Sequence, residues 1–178
     1  MRILGVDPGS RATGWALVSF GAPLRLEGAG VLRPPAGLPF ERRLLWLREA
    51  LAGIVSRMGP DAAAVERVYA GVNPQSLITL GEARGVLLLA LAESGIAVAE
   101  ITPAEVKRAV TGTGAAEKEQ VRRMVASLLG RRLPLDAADA AAAALAHGFV
   151  AAPRAARAAA PLRPAGSGSS GWRRRPTG

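Results

Sequence analysis

The chain has 178 residues, no cysteine and a formal charge of +9. The length suits one packed domain, the absence of cysteine excludes disulfides and thiolate metal sites, and we expect neither a signal peptide nor a membrane span. We therefore expect a soluble, cytoplasmic protein, and the positive charge favours a polyanionic partner.

The positive charge is concentrated at the C-terminal end. Residues 153–178 contain six arginines and no acid, whereas residues 1–150 contain 17 cations and 14 anions. The terminal segment is rich in Ala, Pro, Gly and Ser and has no hydrophobic period, which is typical of disorder. We predict a folded domain over residues 1–152 and a disordered basic tail over 153–178. A tail that binds nucleic acid loosely and one that only aids solubility both stay open.

Hydrophobic patterns predict a mixed α/β fold with a five-stranded sheet and helices on both faces. Three strands joined by tight turns form an antiparallel meander, and two short apolar runs later in the chain fit parallel strands reached through helices. Strands are predicted at 3–6, 14–20, 24–32, 62–66 and 96–101. Helices are predicted at about 38–58, 74–94, 115–130 and 136–150, with a short one after Thr102, which forms a capping box with Glu105.

Two of the predicted buried strands end in a carboxylate. Asp7 follows an apolar strand and precedes the Pro8-Gly9 turn, and Glu66 ends the run of residues 62–65. A carboxylate on a buried strand must be paired, protonated or bound to a metal, because a bare charge in low dielectric is costly. Asp-Pro-Gly is also common turn chemistry, so a turn-capping role for Asp7 stays open.

The last predicted helix carries two further acids, Asp136 and Asp139. They are three residues apart in its first turn and therefore project from one face. Acids there also complement the helix dipole, which is the structural alternative. Clustered with Asp7 and Glu66, these carboxylates would repel one another unless a cation bound them. Oxygen ligands alone favour Mg²⁺ or Mn²⁺, and two ions about 3.5–4 Å apart suit phosphoryl transfer.

Several motifs resemble, in order and spacing, those of the RuvC family of Holliday junction resolvases. They are Ile3-Leu4-Gly5-Val6-Asp7-Pro8-Gly9-Ser10-Arg11, Val65-Glu66, Gly81-Glu82-Ala83-Arg84-Gly85, Val106-Lys107, Glu117-Lys118 and Asp136-Ala137-Ala138-Asp139-Ala140. The resemblance covers residues 1 to about 150 and implies an RNase H-like fold and a homodimer. It also implies metal-dependent, symmetric nicking of two opposing strands of a four-way junction in recombination and repair, which leaves 5′-phosphate and 3′-hydroxyl ends.

The resemblance further assigns roles to residues. Catalysis and metal binding are assigned to four carboxylates: Asp7, Glu66, Asp136 and Asp139. Tyr69 takes the position of an aromatic residue, often Phe, that contacts the junction. A RuvA–RuvB branch-migration complex is a partner that follows from the resemblance only.

Lysine usage adds an independent indication. Of the 23 cations 21 are arginine, and lysine occurs only at Lys107 and Lys118. Because a compact ammonium does not replace a guanidinium fork, these two are candidates for contact with junction phosphates, with ordinary surface lysines as the alternative. Tyr69, near Arg67, could stack on an unpaired base or belong to the core.

The predicted helix at 74–94 is apolar almost all round, and Gly81 and Gly85 would permit close approach of another helix. We therefore predict that it forms much of a dimer contact, as the resemblance implies. His147, the single histidine, would lie about 16 Å along the last helix from Asp136 and about 12 Å from Asp139, so we exclude it as a ligand to the same metal.

Two other functions are compatible with parts of the sequence. The segment from Asp7 to Gly14 also resembles the first phosphate-binding turn of actin-like and sugar-kinase ATPases, but such an enzyme needs a second domain that about 150 ordered residues do not supply. The other is a catalytically silent DNA-binding protein whose acids serve as caps and turns. It predicts that Asp7→Asn keeps function, whereas a nuclease would lose cleavage and keep junction binding.

Overall fold

The computed structural model describes residues 1–67 and 73–159, with side chains described as far as residue 152. Tyr69 and residues 160–178 lie outside the described residues. The strands are β1 (Arg2–Asp7), β2 (Thr13–Ser19), β3 (Arg25–Leu32), β4 (Ala62–Glu66) and β5 (Ala97–Ile101). The helices are α1 (Phe40–Met58), α2 (Pro74–Glu93), α3 (Pro103–Thr111), α4 (Lys118–Leu129) and α5 (Leu135–Ala159).

The five strands form one sheet in the order β3-β2-β1-β4-β5. Strand β1 is antiparallel to β2 and parallel to β4, and β4 is parallel to β5. The predicted meander with two added parallel strands is therefore confirmed. The largest difference in boundaries is at α5, which continues to Ala159 instead of ending near residue 150, so the tail predicted from residue 153 begins within this helix. Helix α4 begins at Lys118, about three residues later than predicted.

The sheet has a hydrophobic layer on each face, because successive strand residues point to opposite sides. Ile3 of β1 faces one layer, which contains the alanine-rich part of α5 and residues of α3 and α4. Leu4 faces the other, which contains Leu47 and Leu51 of α1 and Leu87 of α2. Helices on both faces agree with the prediction.

Helix α5 lies unusually close to the sheet, and two glycines make this possible. A Cβ on Gly5 of β1 would overlap the carbonyl oxygen of Ala140, and a Cβ on Gly14 of β2 would overlap that of Asp136. A larger residue at either position would push the helix away. The alanine-rich sequence of α5 and these glycines thus hold the first turn of the helix against β1 and β2.

Two helices, Pro74–Glu93 and Leu135–Ala152, are long and apolar enough to cross a membrane by length and composition. The second has 56% of its window buried inside the domain, as expected for a core helix, whereas α2 has 22% buried. The domain itself therefore leaves much of the apolar surface of α2 uncovered.

Candidate active site

The sheet brings Asp7 and Glu66 together. They end β1 and β4, which are adjacent and parallel, and the residues immediately before them, Val6 and Val65, are register partners. The carboxyl ends of both strands therefore meet at one edge of the sheet, and each side chain is partly buried there.

Helix α5 adds the other two acids to the same edge. Gly14 is the cross-strand partner of Asp7, and its Cα lies against the backbone of Asp136. The first turn of α5 therefore begins beside Asp7, and Asp139 lies one turn further on. The structure thus brings together the four carboxylates that the sequence singled out.

Electrostatics show how closely these acids approach one another. The pKa of Asp7 is raised to about 7, chiefly by burial and then by the negative charges of Glu66, Asp139 and Asp136, while Lys118 opposes the shift. Burial first and then Asp139 raise the pKa of Glu66, again opposed by Lys118. Burial and neighbouring negative charge both favour the protonated form of these carboxyl groups, and a bound cation would favour the ionised form.

Two arginines already neutralise the acids of α5. Arg122 of α4 donates from Nε to Asp139 Oδ1 at 3.2 Å and from Nη2 to Oδ2 at 3.0 Å. Arg33, just after β3, lies 3.6 Å from Asp136 Oδ2 in a more exposed ion pair. Sequence reasoning missed both arginines, because a pair between α4 and α5 depends on how the two helices pack.

Both lysines lie beside the acidic cluster. A small cavity of about 40 Å³ is lined by Lys107 of α3, Lys118 at the start of α4, Glu66 and Asp139. Lys118 is exposed and Lys107 half-buried. The two ammonium groups therefore flank the carboxylates, where they can attract a phosphate that the acids alone would repel.

The acidic cluster suits a divalent cation by its chemistry, although its side chains are not arranged as a closed cage. In the described part of the chain, no three Asp, Glu or His side chains surround a common point closely enough to hold an ion. One reason is visible at Asp139, whose two oxygens bind Arg122. The donor set is nevertheless all oxygen, and the pKa of Asp7 is raised by burial first and then by neighbouring negative charge, which a cation would offset.

Two further residues support the site, although the sequence pattern assigned neither of them a role there. Thr13 is fully buried, and its Oγ1 donates to the Gly9 carbonyl oxygen at 2.8 Å, which fixes the turn after Asp7. Arg84 of α2 donates to the carbonyl oxygen of Glu66 at 3.4 Å and pairs with Glu100 at 2.6 Å, which ties the end of β4 to α2. A buried threonine beside a turn and an arginine within an apolar helix are the features that could have indicated them.

His147 lies elsewhere, as its position along the helix predicted. It lines a cavity between β5, α3 and α5 together with Glu105 and Arg108, and burial lowers its pKa. The other predicted DNA contact, Tyr69, lies outside the described residues.

The fold, with its acidic sheet edge, is that of an RNase H-like α/β domain. The yeast mitochondrial Holliday junction resolvase Ydc2 shares the fold, with a TM-score of 0.59 and 14% identity over 81% of this chain and 77% of that one. RuvC of Thermus thermophilus is more similar, with a TM-score of 0.79 and 32% identity over 86% of this chain and 97% of that one.

Sequence comparison identifies the family. The family model for crossover junction endodeoxyribonuclease RuvC matches residues 3–147. The RuvC of Chloroflexus aurantiacus is 48% identical over 155 residues, 85% of this chain and 94% of the relative. That of Azorhizobium caulinodans is 44% identical over 163 residues, 90% of this chain and 96% of the relative. The chain therefore belongs to the RuvC family of crossover junction endodeoxyribonucleases, and the resemblance read from its motifs is confirmed.

Proposed function

We propose that this chain resolves Holliday junctions by nicking two opposing strands symmetrically, in recombination and repair. The observation that carries the proposal is the meeting of Asp7, Glu66, Asp136 and Asp139 at one sheet edge in a RuvC-family chain. The RuvC of T. thermophilus, 33% identical with a TM-score of 0.79, has been solved in complex with Holliday junction substrate.

Asp7, Glu66, Asp136 and Asp139 would hold divalent metal, in keeping with a nuclease of this family. We assign Mg²⁺, with Mn²⁺ as a substitute, and two ions per site. Such ions, when bound, lower the pKa of water and stabilise the departing 3′-oxygen, which gives 5′-phosphate and 3′-hydroxyl ends. The carboxylates act as ligands, and the partial burial of Asp7 and Glu66 strengthens their attraction for a cation.

Lys107 and Lys118 would hold the phosphate of the cleaved strand beside the carboxylates. Their place on the small cavity with Glu66 and Asp139 supports this role, because a phosphate that approaches the acids meets both ammonium groups. Tyr69 is proposed to contact the junction near the branch point, where unpaired bases offer faces for stacking.

Symmetric cleavage requires two active sites, and we propose that α2 forms the dimer contact. Ile78 and Leu89, which lie about three turns apart on one side of this helix, are 56% and 53% exposed. On the exposed side, Gly81 and Gly85 have open space where a side chain would stand. A second copy of the helix can approach closely there, and a two-fold dimer would match the two-fold symmetry of the junction.

The proposed setting is the cytoplasm, with a RuvA–RuvB branch-migration complex as the family partner. By composition alone, the apolar surface of α2 could be covered by a membrane or by a second copy of the protein. The dimer is favoured, because α2 packs into the core below the sheet through Leu87, Ala90 and Leu91 and so belongs to the domain that carries the carboxylates.

The experiment that tests the function is cleavage of a synthetic four-way junction beside its parent duplex, in Mg²⁺ and in Mn²⁺. Asp7→Asn should abolish cleavage and keep junction binding. Asp61→Asn is the matched control, since Asp61 is the one aspartate in the sequence outside the cluster. Paired nicks in the junction alone support the proposal, whereas junction binding without cleavage in either metal would leave a DNA-binding protein.

A further inference from the structure

A second charged feature lies next to the acidic cluster, on the other side of Arg122. It is a cavity of about 290 Å³ between α4, the segment 130–134 and the first turn of α5. We call it the arginine cavity. Its lining residues include four arginines, Arg122, Arg123, Arg131 and Arg132, and one acid, Glu119.

Most of these arginines make no ion pair with the part of the domain that the structure describes. Arg122 pairs with Asp139, whereas Arg123, Arg131 and Arg132 are exposed and make no ion pair with any residue that the structure describes. Exposed arginines that share one cavity repel one another. Glu119, the one acid that lines the cavity, is exposed and makes no ion pair with them in the described part of the chain. An anion would relieve this repulsion, and a guanidinium fork matches phosphate oxygens geometrically.

The backbone fixes two of these arginines in place. Helix α4 ends at Gly130, whose φ of 65° is left-handed, and the Arg131 amide donates to the Ala126 carbonyl oxygen at 3.0 Å. This cap turns the chain at the C-terminal end of α4, where Arg131 and Arg132 follow. The two residues are therefore presented to the cavity from an ordered turn, with less conformational freedom to lose on binding than a free loop would have.

Arg122 connects the cavity to the active site, because it lines the cavity while both oxygens of Asp139 accept its hydrogen bonds. Leu135, which precedes Asp136 on α5, and Ala138, which precedes Asp139, also line it. Phosphates follow one another along a DNA strand every few ångströms. A strand whose scissile phosphate lies at the carboxylates therefore has neighbouring phosphates within reach of the arginines.

We propose that the arginine cavity is a binding site for backbone phosphates of the cleaved strand, next to the scissile phosphate. The ligand is the DNA backbone, so the site supplies affinity and register without reading sequence. The inference rests on the proposed function for the identity of the strand, but its binding test does not depend on cleavage.

The test compares two double variants by fluorescence anisotropy of a labelled four-way junction in EDTA, over a series of salt concentrations. Arg131→Gln/Arg132→Gln removes two charges from the cavity. Arg42→Gln/Arg57→Gln removes two exposed charges from α1, which packs on the opposite face of the sheet. Each lost phosphate contact lowers the salt slope by about one, so the cavity variant should lose about two and bind at least about tenfold more weakly.

A conservative variant separates charge from folding. Arg131→Lys/Arg132→Lys keeps the charge and should keep the salt slope, and the loss in the glutamine variant should be equal on junctions of different sequence. Equal weakening by the cavity and α1 variants would overturn the proposal. Wild-type cleavage in Mg²⁺ is measured separately: its absence would refute the proposed nuclease function, whereas cleavage together with unchanged binding by the cavity variant would refute the phosphate site alone.

Discussion

Arg122 on α4 holds Asp139 on α5 in a two-point ion pair, with bonds of 3.2 Å and 3.0 Å. Both side chains are mostly shielded, with exposed fractions of 22% and 19%. The guanidinium therefore supplies the positive charge that a divalent metal would supply at the same carboxylate. For Asp139 to bind a metal through the oxygens that now face Arg122, at least one of these hydrogen bonds must break.

This competition gives the first prediction: Arg122→Gln should bind Mn²⁺ more tightly in the absence of DNA. The metal would no longer displace a charge-assisted pair, and a nearby positive charge would be gone. We expect the dissociation constant to fall about three- to tenfold, which corresponds to about 0.6–1.4 kcal/mol. Mn²⁺ titration followed by electron paramagnetic resonance measures this without any cleavage.

Arg123→Gln is the control for Arg122→Gln, because it removes the same charge from the adjacent position of α4, where the side chain is exposed. An equal gain in Mn²⁺ affinity in both variants would show a general charge effect. Unchanged or weaker binding in Arg122→Gln would contradict the competition.

The second prediction concerns the stability of the metal-free protein and its dependence on pH. The pKa of Asp7 is raised to about 7 in the fold, mainly by burial, whereas an unfolded aspartate titrates near its ordinary pKa of about 3.9. Between these values the unfolded chain releases a proton that the folded chain keeps. The Asp7 contribution therefore lowers the free energy of unfolding as the pH rises from about 4 to about 7.

Asp7→Asn should remove this penalty. In EDTA at pH 7.5 we expect the variant to be more stable than wild type by about 1–3 kcal/mol, with the difference nearly gone at pH 4, where the wild-type carboxyl is protonated. Urea unfolding at the two pH values measures it. A variant that is less stable at pH 7.5 would contradict the electrostatic origin of the raised pKa.

The third prediction separates lysine from arginine at the small cavity. Lys107→Arg and Lys118→Arg keep the charge, so junction binding should change by less than about threefold. The guanidinium is bulkier and planar, however, and should displace the phosphate from the carboxylates. We expect the single-turnover cleavage rate to fall by about tenfold or more, as misplacement of reacting groups does. Full activity in both variants would make these residues ordinary surface lysines.

The sequence was sufficient for the sheet, and it indicated Asp7 and Glu66 because the apolar runs of β1 and β4 each end in a carboxylate. The motifs also sufficed for the family. The sequence did not reveal the Arg122–Asp139 pair or the arginine cavity, since these depend on how α4 and α5 pack. The sequence pattern also predicted too early an end for α5. The regular spacing of buried residues stops before the helix itself ends at Ala159.

The fourth prediction addresses the dimer. Ile78→Lys/Leu89→Lys places charges on the exposed side of α2 and, since both side chains are more than half exposed, should leave the fold of each domain intact. We expect sedimentation to shift from dimer to monomer and symmetric double nicking to be lost. Leu45→Lys is the control, because Leu45 is an exposed leucine on α1. A wild-type chain that stays monomeric at all concentrations would refute the α2 contact.

The fifth prediction tests how α5 is held at the sheet. Gly14→Ala would place a methyl group against the carbonyl oxygen of Asp136, a backbone atom that cannot rotate away. The helix must shift, so we expect a loss of about 1–3 kcal/mol in stability and a large loss of cleavage, because Asp136 and Asp139 move with it. Gly53→Ala on α1, which has open space at its Cβ, should instead stabilise the helix by about 0.5–1 kcal/mol. Equal effects of the two substitutions would mean that the close approach of α5 does not position the site.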